Sequence, residues 1–262
     1  MKKQTLILVG AAVVVLAVIA IVVGGAIARS VRRNNLAELI RQAQQEAAAQ
    51  RATEPGPTPT PNAAEMESML AGDSFPYKLS TARLLAGRKD IPVKERVRLL
   101  ATALAAEVES PSDSATVKDS YLAGGQVLRL ILVRGLSELG AKALPDVRLA
   151  AEGAEGITRE HLLVALAYMG DKDALPEVRL LVTGSSDPAV RMDAARALGI
   201  VKDKQAVPVL VEALRDDFEV NARNSLHEYS AYPVREQAAG ALDLLGIKVT
   251  RSTAGSFTVE GQ

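Results

Sequence analysis

The chain has no cysteine and no tryptophan, only two histidines, and an aromatic content of 3% over 262 residues. Without cysteine there is no disulfide framework, no thiolate-held zinc or iron–sulfur centre and no thiol nucleophile. Two histidines cannot supply a metal site built from several imidazoles. No sign of charge dominates either, since 31 Lys and Arg face 31 Asp and Glu. What the chain has in quantity is apolar: 48% hydrophobic residues, enough to build a core and to exclude a chain that is disordered throughout. With so few rings, Ala, Leu and Val must do the packing, which suits helices held close through small side chains. The length corresponds to one or two domains.

One long apolar run stands at the start. A basic terminus, residues 1–5 with Lys2 and Lys3, precedes 6–28, LILVGAAVVVLAVIAIVVGGAIA, which holds no charged side chain. As a helix these 23 residues reach about 34 Å, enough for a hydrocarbon core of roughly 30 Å. A helix is the form that satisfies every backbone amide in lipid. The pattern predicts one transmembrane helix and contact with lipid along 6–28. The alternative is a signal peptide cleaved near Ala28, after the small-x-small Ala26-Ile27-Ala28, leaving a secreted protein; the run exceeds the usual ~7–15 residues of a signal core. Lys2 and Lys3 on one side nearly balance Arg29, Arg32 and Arg33 on the other. The orientation read here puts the folded domain outside the cytoplasm, with a cytoplasmic domain as the alternative. Ala20, Gly24 and Ala28 recur every four residues on one face, a spacing that lets two membrane helices approach as a homodimer.

Residues 29–51 carry five Arg against two Glu. Leu36, Leu39, Ile40, Ala43 and Ala47 follow helical spacing, so a juxtamembrane helix is expected. Residues 52–62, ATEPGPTPTPN, are a linker whose prolines forbid a helix and favour extended polyproline geometry. Residues 63–75 read as a short helix, 63–71, and a connection, with Asn62 capping and Gly72 ending it. The remaining stretch, 76–262, has 24 basic and 25 acidic residues. That near-neutrality argues against nucleic acid, where phosphate neutralisation drives binding.

Internal repeats organise this remainder. Ala143-Leu144-Pro145, Ala174-Leu175-Pro176 and Ala206-Val207-Pro208 recur at offsets of 31 and 32. Val190-Arg191-Met192-Asp193-Ala194-Ala195-Arg196-Ala197-Leu198 matches Val234-Arg235-Glu236-Gln237-Ala238-Ala239-Gly240-Ala241-Leu242. The prolines suit the first turn of a helix, where a missing N–H costs nothing. The pattern predicts helix pairs at 143–152 with 158–169, 174–183 with 187–200, and 206–216 with 232–245. Helices at 77–86, 92–109 and 118–140 precede them without the motifs, as degenerate repeats or an end cap. Ile247, Val249, Phe257 and Val259 alternate around a Ser-Thr-Ala-Gly turn, which predicts a β-hairpin over 247–260.

These motifs over 143–246 resemble HEAT repeats of the short, HEAT-like or phycobilisome-lyase type. The resemblance implies an all-α, HEAT-like α-solenoid of stacked helix pairs, to which the alternation over 247–260 adds a small closing hairpin and the apolar run a preceding membrane helix. It also implies a surface for protein–protein interaction, with a protein partner, no cofactor and no catalysis; joined to the apolar run, the expectation is a membrane-anchored scaffold. Two alternatives remain: an enzyme or accessory factor resembling HEAT-like lyase subunits, and a passive structural component of the cell envelope.

Residues suited to chemistry are few. No phosphate-binding loop is present. Asp171-Lys172-Asp173 begins like a calcium loop but continues into Ala-Leu-Pro. His227-Glu228 resembles the His-Glu pairs of HEAT-repeat di-iron hydroxylases, but a single such pair with the reversed Glu160-His161 is too few ligands. The feature that stands out is an abnormal last repeat. Its helices are joined by Asp217 to Ala231, a long loop of the kind that is usually functional or disordered. Phe218, Tyr229 and Tyr232 concentrate there, with Arg223 and His227. Aromatic and Arg side chains dominate interface hot spots, so Arg223, His227, Tyr229 and Tyr232 are the expected protein-binding residues. The competing reading is that Phe218 and Tyr232 pack inward and pin the loop.

Overall fold

The computed structural model describes residues 60–111, 124–223, 228–252 and 256–260. The chain divides into two units, 1–60 and 61–262. The second unit is mainly helical, with ten α-helices among the described residues. In order these are α1 (Ala63–Ala71), α2 (Phe75–Gly87), α3 (Val93–Glu109), α4 (Gly124–Glu138), α5 (Leu144–Glu152), α6 (Gly156–Tyr168), α7 (Leu175–Gly184), α8 (Pro188–Ile200), α9 (Val207–Ala213) and α10 (Pro233–Leu244). Two antiparallel ribbons complete it: β1 (Val220–Arg223) with β2 (Glu228–Ala231), and β3 (Val249–Arg251) with β4 (Phe257–Val259).

Local chemistry sets the helix ends. Asn62 forms a capping box on α1: its side chain accepts from the Glu65 N–H at 3.0 Å, while Glu65 accepts from the Asn62 N–H at 2.8 Å. Pro145, Pro176 and Pro208 lie in the first turns of α5, α7 and α9. Asp187 caps α8 through the Ala189 N–H at 2.8 Å, with Pro188 next. The helices α4, α6, α8 and α10 are followed by a left-handed residue at Gly140, Gly170, Lys202 and Gly246. In three of them the next N–H reaches back to a carbonyl inside the helix: Asp171 to Leu166, Asp203 to Leu198 and Ile247 to Leu242, at 3.0, 3.0 and 2.9 Å. Glycine takes that backbone geometry without strain; Lys202, at φ 56°, takes it with strain.

The helix pairs α5/α6, α7/α8 and α9/α10 are the three motif-bearing repeats. First helices and second helices form two layers, with α6, α8 and α10 packed in sequence along the second layer. One continuous apolar core runs from Met66 in α1 to Val249 in β3, so α1 is integral to this unit. No pair could bury its stripe alone, which is why stacking and folding are the same event. Alanines at 194, 195, 197, 238, 239 and 241 are almost fully buried and let α8 and α10 approach closely. The tightest point is Gly199, where an added Cβ would stand 2.6 Å from the Ala241 Cα.

In the second layer α4 also reaches past α6 to α8. Leu130 of α4 and Ala189 of α8 form a small apolar cluster with Val127, Met192 and Phe218. This closes the second-helix side over α6, whose residues 161–167 are all buried.

The expected C-terminal hairpin is present, with Val249 opposite Val259 and Arg251 opposite Phe257. The connection in the last repeat differs from expectation: it is a β-hairpin, with Val220 opposite Ala231 and Arg223 opposite Glu228. Alternation over Val220–Arg223 and Glu228–Ala231 is too short to have announced it. Residues 6–28, with the Ala20, Gly24 and Ala28 face, and the segments 29–51 and 52–59 lie outside the described residues. Among the described residues no helix is long and apolar enough to cross a membrane.

Candidate protein-binding surface

The repeats are stapled by arginines at equivalent places. Each of α4, α6, α8 and α10 carries one seven residues before its key leucine: Arg129, Arg159, Arg191 and Arg235. Arg159 pairs with Glu177 at 2.7 Å. Arg191 grips Asp216 with two hydrogen bonds of 2.7 and 3.1 Å and donates to the Ser185 carbonyl at 3.0 Å. Arg235 donates to the Asp216 carbonyl at 2.5 Å. First helices carry a second set. Arg148 bonds both Asp171 oxygens at 2.6 Å and Asp173 at 2.9 Å, and Arg179 bonds Asp203 at 3.0 Å. The Asp171-Lys172-Asp173 sequence is therefore served by a guanidinium, which holds the Asp171 carboxyl below its ordinary range through that bidentate bond.

Asp216 connects this framework to the hairpin. Held by Arg191, it also accepts from the Phe218 N–H at 3.0 Å. Phe218 packs against the cluster of Leu130 in α4 and Ala189 in α8, as do Val127 and Met192. Glu219 accepts from the Ser230 hydroxyl and, at 3.3 Å, from the Tyr232 hydroxyl. The Arg235 guanidinium lies 4.0 Å above the Tyr232 ring. Thus Phe218 and Tyr232 sit at the hairpin's base, tied to the repeats. Arg223 and Tyr229 are strand positions opposite Glu228 and Ala222. His227 lies outside the described residues. The hairpin carries Arg223 on its first strand and Tyr229 on its second, with Tyr232 directly after the second strand.

A buried polar group joins α4, α6 and α8, and the sequence reading missed it. His161 is 0% exposed. Its Nε2 stands 3.7 Å from Asp187 Oδ2, and neither ring nitrogen has a hydrogen-bond partner. Asp187 also receives Arg129 at 2.9 Å. Burial opposes the Asp187 charge, but the nearby His161 ring, the Ala189 N–H and Arg129 outweigh it and hold the carboxyl below its ordinary range. Two residues into α8 from Arg191, Asp193 is buried and accepts from the Tyr168 hydroxyl at 2.5 Å. Its second oxygen has no partner. Burial pushes the Asp193 carboxyl up, and the Tyr168 bond does not reverse this. The signal available was Asp193 in the register of the Val-Arg-x-x-Ala-Ala motif, where His161 and Gln237 are its counterparts in α6 and α10.

The His161–Asp187 pair is close but not hydrogen-bonded. Two open grooves border the first helices, one of them lined by the Arg148–Asp171 and Arg159–Glu177 pairs. One of about 410 Å³ separates α3 from α5, and one of about 310 Å³ lies among α5, α6 and α7. The model of one protein family, HEAT repeats, matches residues 144–228. That span covers α5 to α9 and β1, and stops short of α10, which the repeated sequence motif includes. No curated protein matches the chain.

Proposed function

We propose, from the HEAT repeats of residues 144–228, that the protein is a membrane-anchored scaffold for protein–protein interaction without catalytic activity of its own. HEAT repeats generally mediate protein–protein interaction. The observation that carries the reading is the hairpin that interrupts the last repeat. Insertions in a solenoid commonly serve its binding face, and this one is braced at its base by Phe218, Asp216, Glu219 and Tyr232. Arg223, His227 and Tyr229 are its contact residues and Tyr232 positions it. The apolar run 6–28 supplies the anchor, with lipid around it, and Ala20, Gly24 and Ala28 are the face through which two anchors pair.

Two experiments test this. Replacing Arg223, His227 and Tyr229 together by Ala abolishes capture of the partner from solubilised membranes while leaving the melting temperature unchanged. Undiminished capture refutes the site. Fractionation of the tagged full-length chain places it in membranes after alkaline washing; a soluble product beginning near Arg29 would establish cleavage instead.

A further inference from the structure

Lysine is distributed unevenly over the described residues. Lys89, Lys94, Lys142, Lys172, Lys202, Lys204 and Lys248 all fall where a second helix ends and the next first helix begins, or just beyond α10. All seven are exposed. The turns 88–92, 139–143, 169–174, 201–206 and 245–248 follow one another along a single edge of the stack, because every second helix runs antiparallel to its first. The arginines of that edge are spent on its aspartates: Arg88 on Asp90, Arg148 on Asp171 and Asp173, Arg179 on Asp203. None of the seven lysines is in an ion pair among the described residues. Glu65, Glu138, Asp146 and Glu260 are the carboxylates nearby without one, so the edge keeps a surplus of cations. The opposite edge carries exposed Glu109, Glu152, Glu155 and Asp217 against Arg215.

Next to the lysine edge lies the layer of first helices, and it exposes leucine. Leu149 of α5 is 64% exposed and Leu180 of α7 is 71% exposed. They occupy the same place in successive repeats, five residues beyond the leucine of each Ala-Leu-Pro. The third repeat has Glu212 there, which ends the apolar strip. At its other end Leu149 and Ala150 wall the groove of about 410 Å³ with Pro92, Val97, Lys94 and Asp146. An exposed apolar strip that recurs with the repeat, flanked by unpaired cations, is a surface fitted to a ligand of matching pattern. On the second-helix side the exposed large apolar residues, Tyr77, Leu84, Ile200 and Leu244, sit near the ends of α2, α8 and α10, none of them in α6.

We propose that this ridge takes an amphipathic helical segment of a partner protein, with apolar side chains one heptad apart and carboxylates along one flank. Neighbouring helices of a layer stand roughly 10 Å apart, and one heptad of helix rises about 10.5 Å. One heptad position therefore meets Leu180, the next Leu149, and a third enters the groove above Val97. The acidic flank lies against Lys94, Lys142, Lys172 and Lys204. The inference deepens the protein-binding reading and rests on it, but it uses a surface separate from the hairpin.

The test uses the full-length chain and two labelled synthetic peptides of about 18 residues, roughly 27 Å as helices. Both carry leucine at heptad spacing; one has glutamate along a flank, the other lysine. Fluorescence anisotropy shows binding of the glutamate peptide, weakened by salt, and none of the lysine peptide. Leu149→Ser with Leu180→Ser weakens binding about tenfold or more. Lys142→Glu with Lys172→Glu and Lys204→Glu weakens the glutamate peptide and admits the lysine peptide. All five side chains are exposed, so circular dichroism and melting temperature stay at wild-type values. The Arg223, His227 and Tyr229 triple variant binds the glutamate peptide as wild type does. The proposal is overturned if the peptides bind equally, if neither binds, or if the leucine variant binds undiminished. Loss of binding in the hairpin variant alone would overturn it too, moving the site to the hairpin.

Discussion

Gly199 offers a test in which two opposing effects are both known. In a helix interior, Ala in place of Gly normally stabilises by about 1 kcal/mol, because the unfolded chain loses freedom. At Gly199 the new Cβ would lie 2.6 Å from Ala241 Cα, 2.7 Å from its Cβ and 3.4 Å from its carbonyl oxygen. Ordinary contact begins near 3.4 Å, so α8 and α10 would have to part by about 1 Å. The atoms in the way are backbone and a methyl on the backbone, and neither can swing aside. Parting these helices loosens Ala194, Ala195, Leu198, Ala238 and Leu242, all 0% exposed. Overpacking of this kind costs about 1–3 kcal/mol, and the immovable obstacle sets the upper end. Gly199→Ala is therefore expected to destabilise by about 2 kcal/mol net, a fall of about 4–8 °C in Tm for a unit of this size. Gly240 in α10 is the control, since an added Cβ there meets nothing within 4 Å. Gly240→Ala is expected to raise Tm by about 1–4 °C. Thermal unfolding followed by circular dichroism reads both. If Gly199→Ala matches or exceeds the wild type, the close crossing of α8 and α10 is wrong.

The polar framework gives three further expected outcomes. Because the folded-state carboxyl of Asp193 titrates above its unfolded value, its favourable contribution is complete below about pH 3.9 and is lost as pH rises through the raised value. Asp193→Asn, which keeps an acceptor for Tyr168, should thus gain stability relative to wild type as pH rises, measured by urea unfolding across pH; parallel profiles would contradict it. Arg191→Ala leaves Asp216 without its two-bonded partner, costs about 2 kcal/mol and accelerates hydrogen exchange across 216–231, whereas unchanged exchange there would detach the hairpin from this anchor. Lys202→Gly relieves the left-handed strain at φ 56° and is expected to stabilise by about 0.5–1 kcal/mol after the entropy cost of glycine, with a lower Tm arguing against strain at that position.

Much of this architecture was legible in the chain because its signals are local. Pro145, Pro176 and Pro208 mark first turns since the missing N–H is an orphan wherever the rest of the chain goes. Asn62 with Glu65, and Asp187 before Pro188, close helix ends within a few residues. The repeat offset announced stacking, because copies of one amphipathic pair can bury their stripes only against each other. The alternation around Val249 and Phe257 announced the C-terminal hairpin for the same reason. The inserted hairpin was legible only as a break in the pattern: four-residue strands are too short for a period, and its base depends on Phe218 finding α4 and α8. Arg129 and Asp187, 58 residues apart, meet because α4 reaches past α6, and no local rule encodes that reach. The burial of His161 and Asp193, the closeness of Gly199 to Ala241, and the gathering of scattered lysines onto one edge beside Leu149 and Leu180 have the same origin. Each is a relation between helices, set by how far each layer turns from one repeat to the next, and so belongs to the tertiary structure.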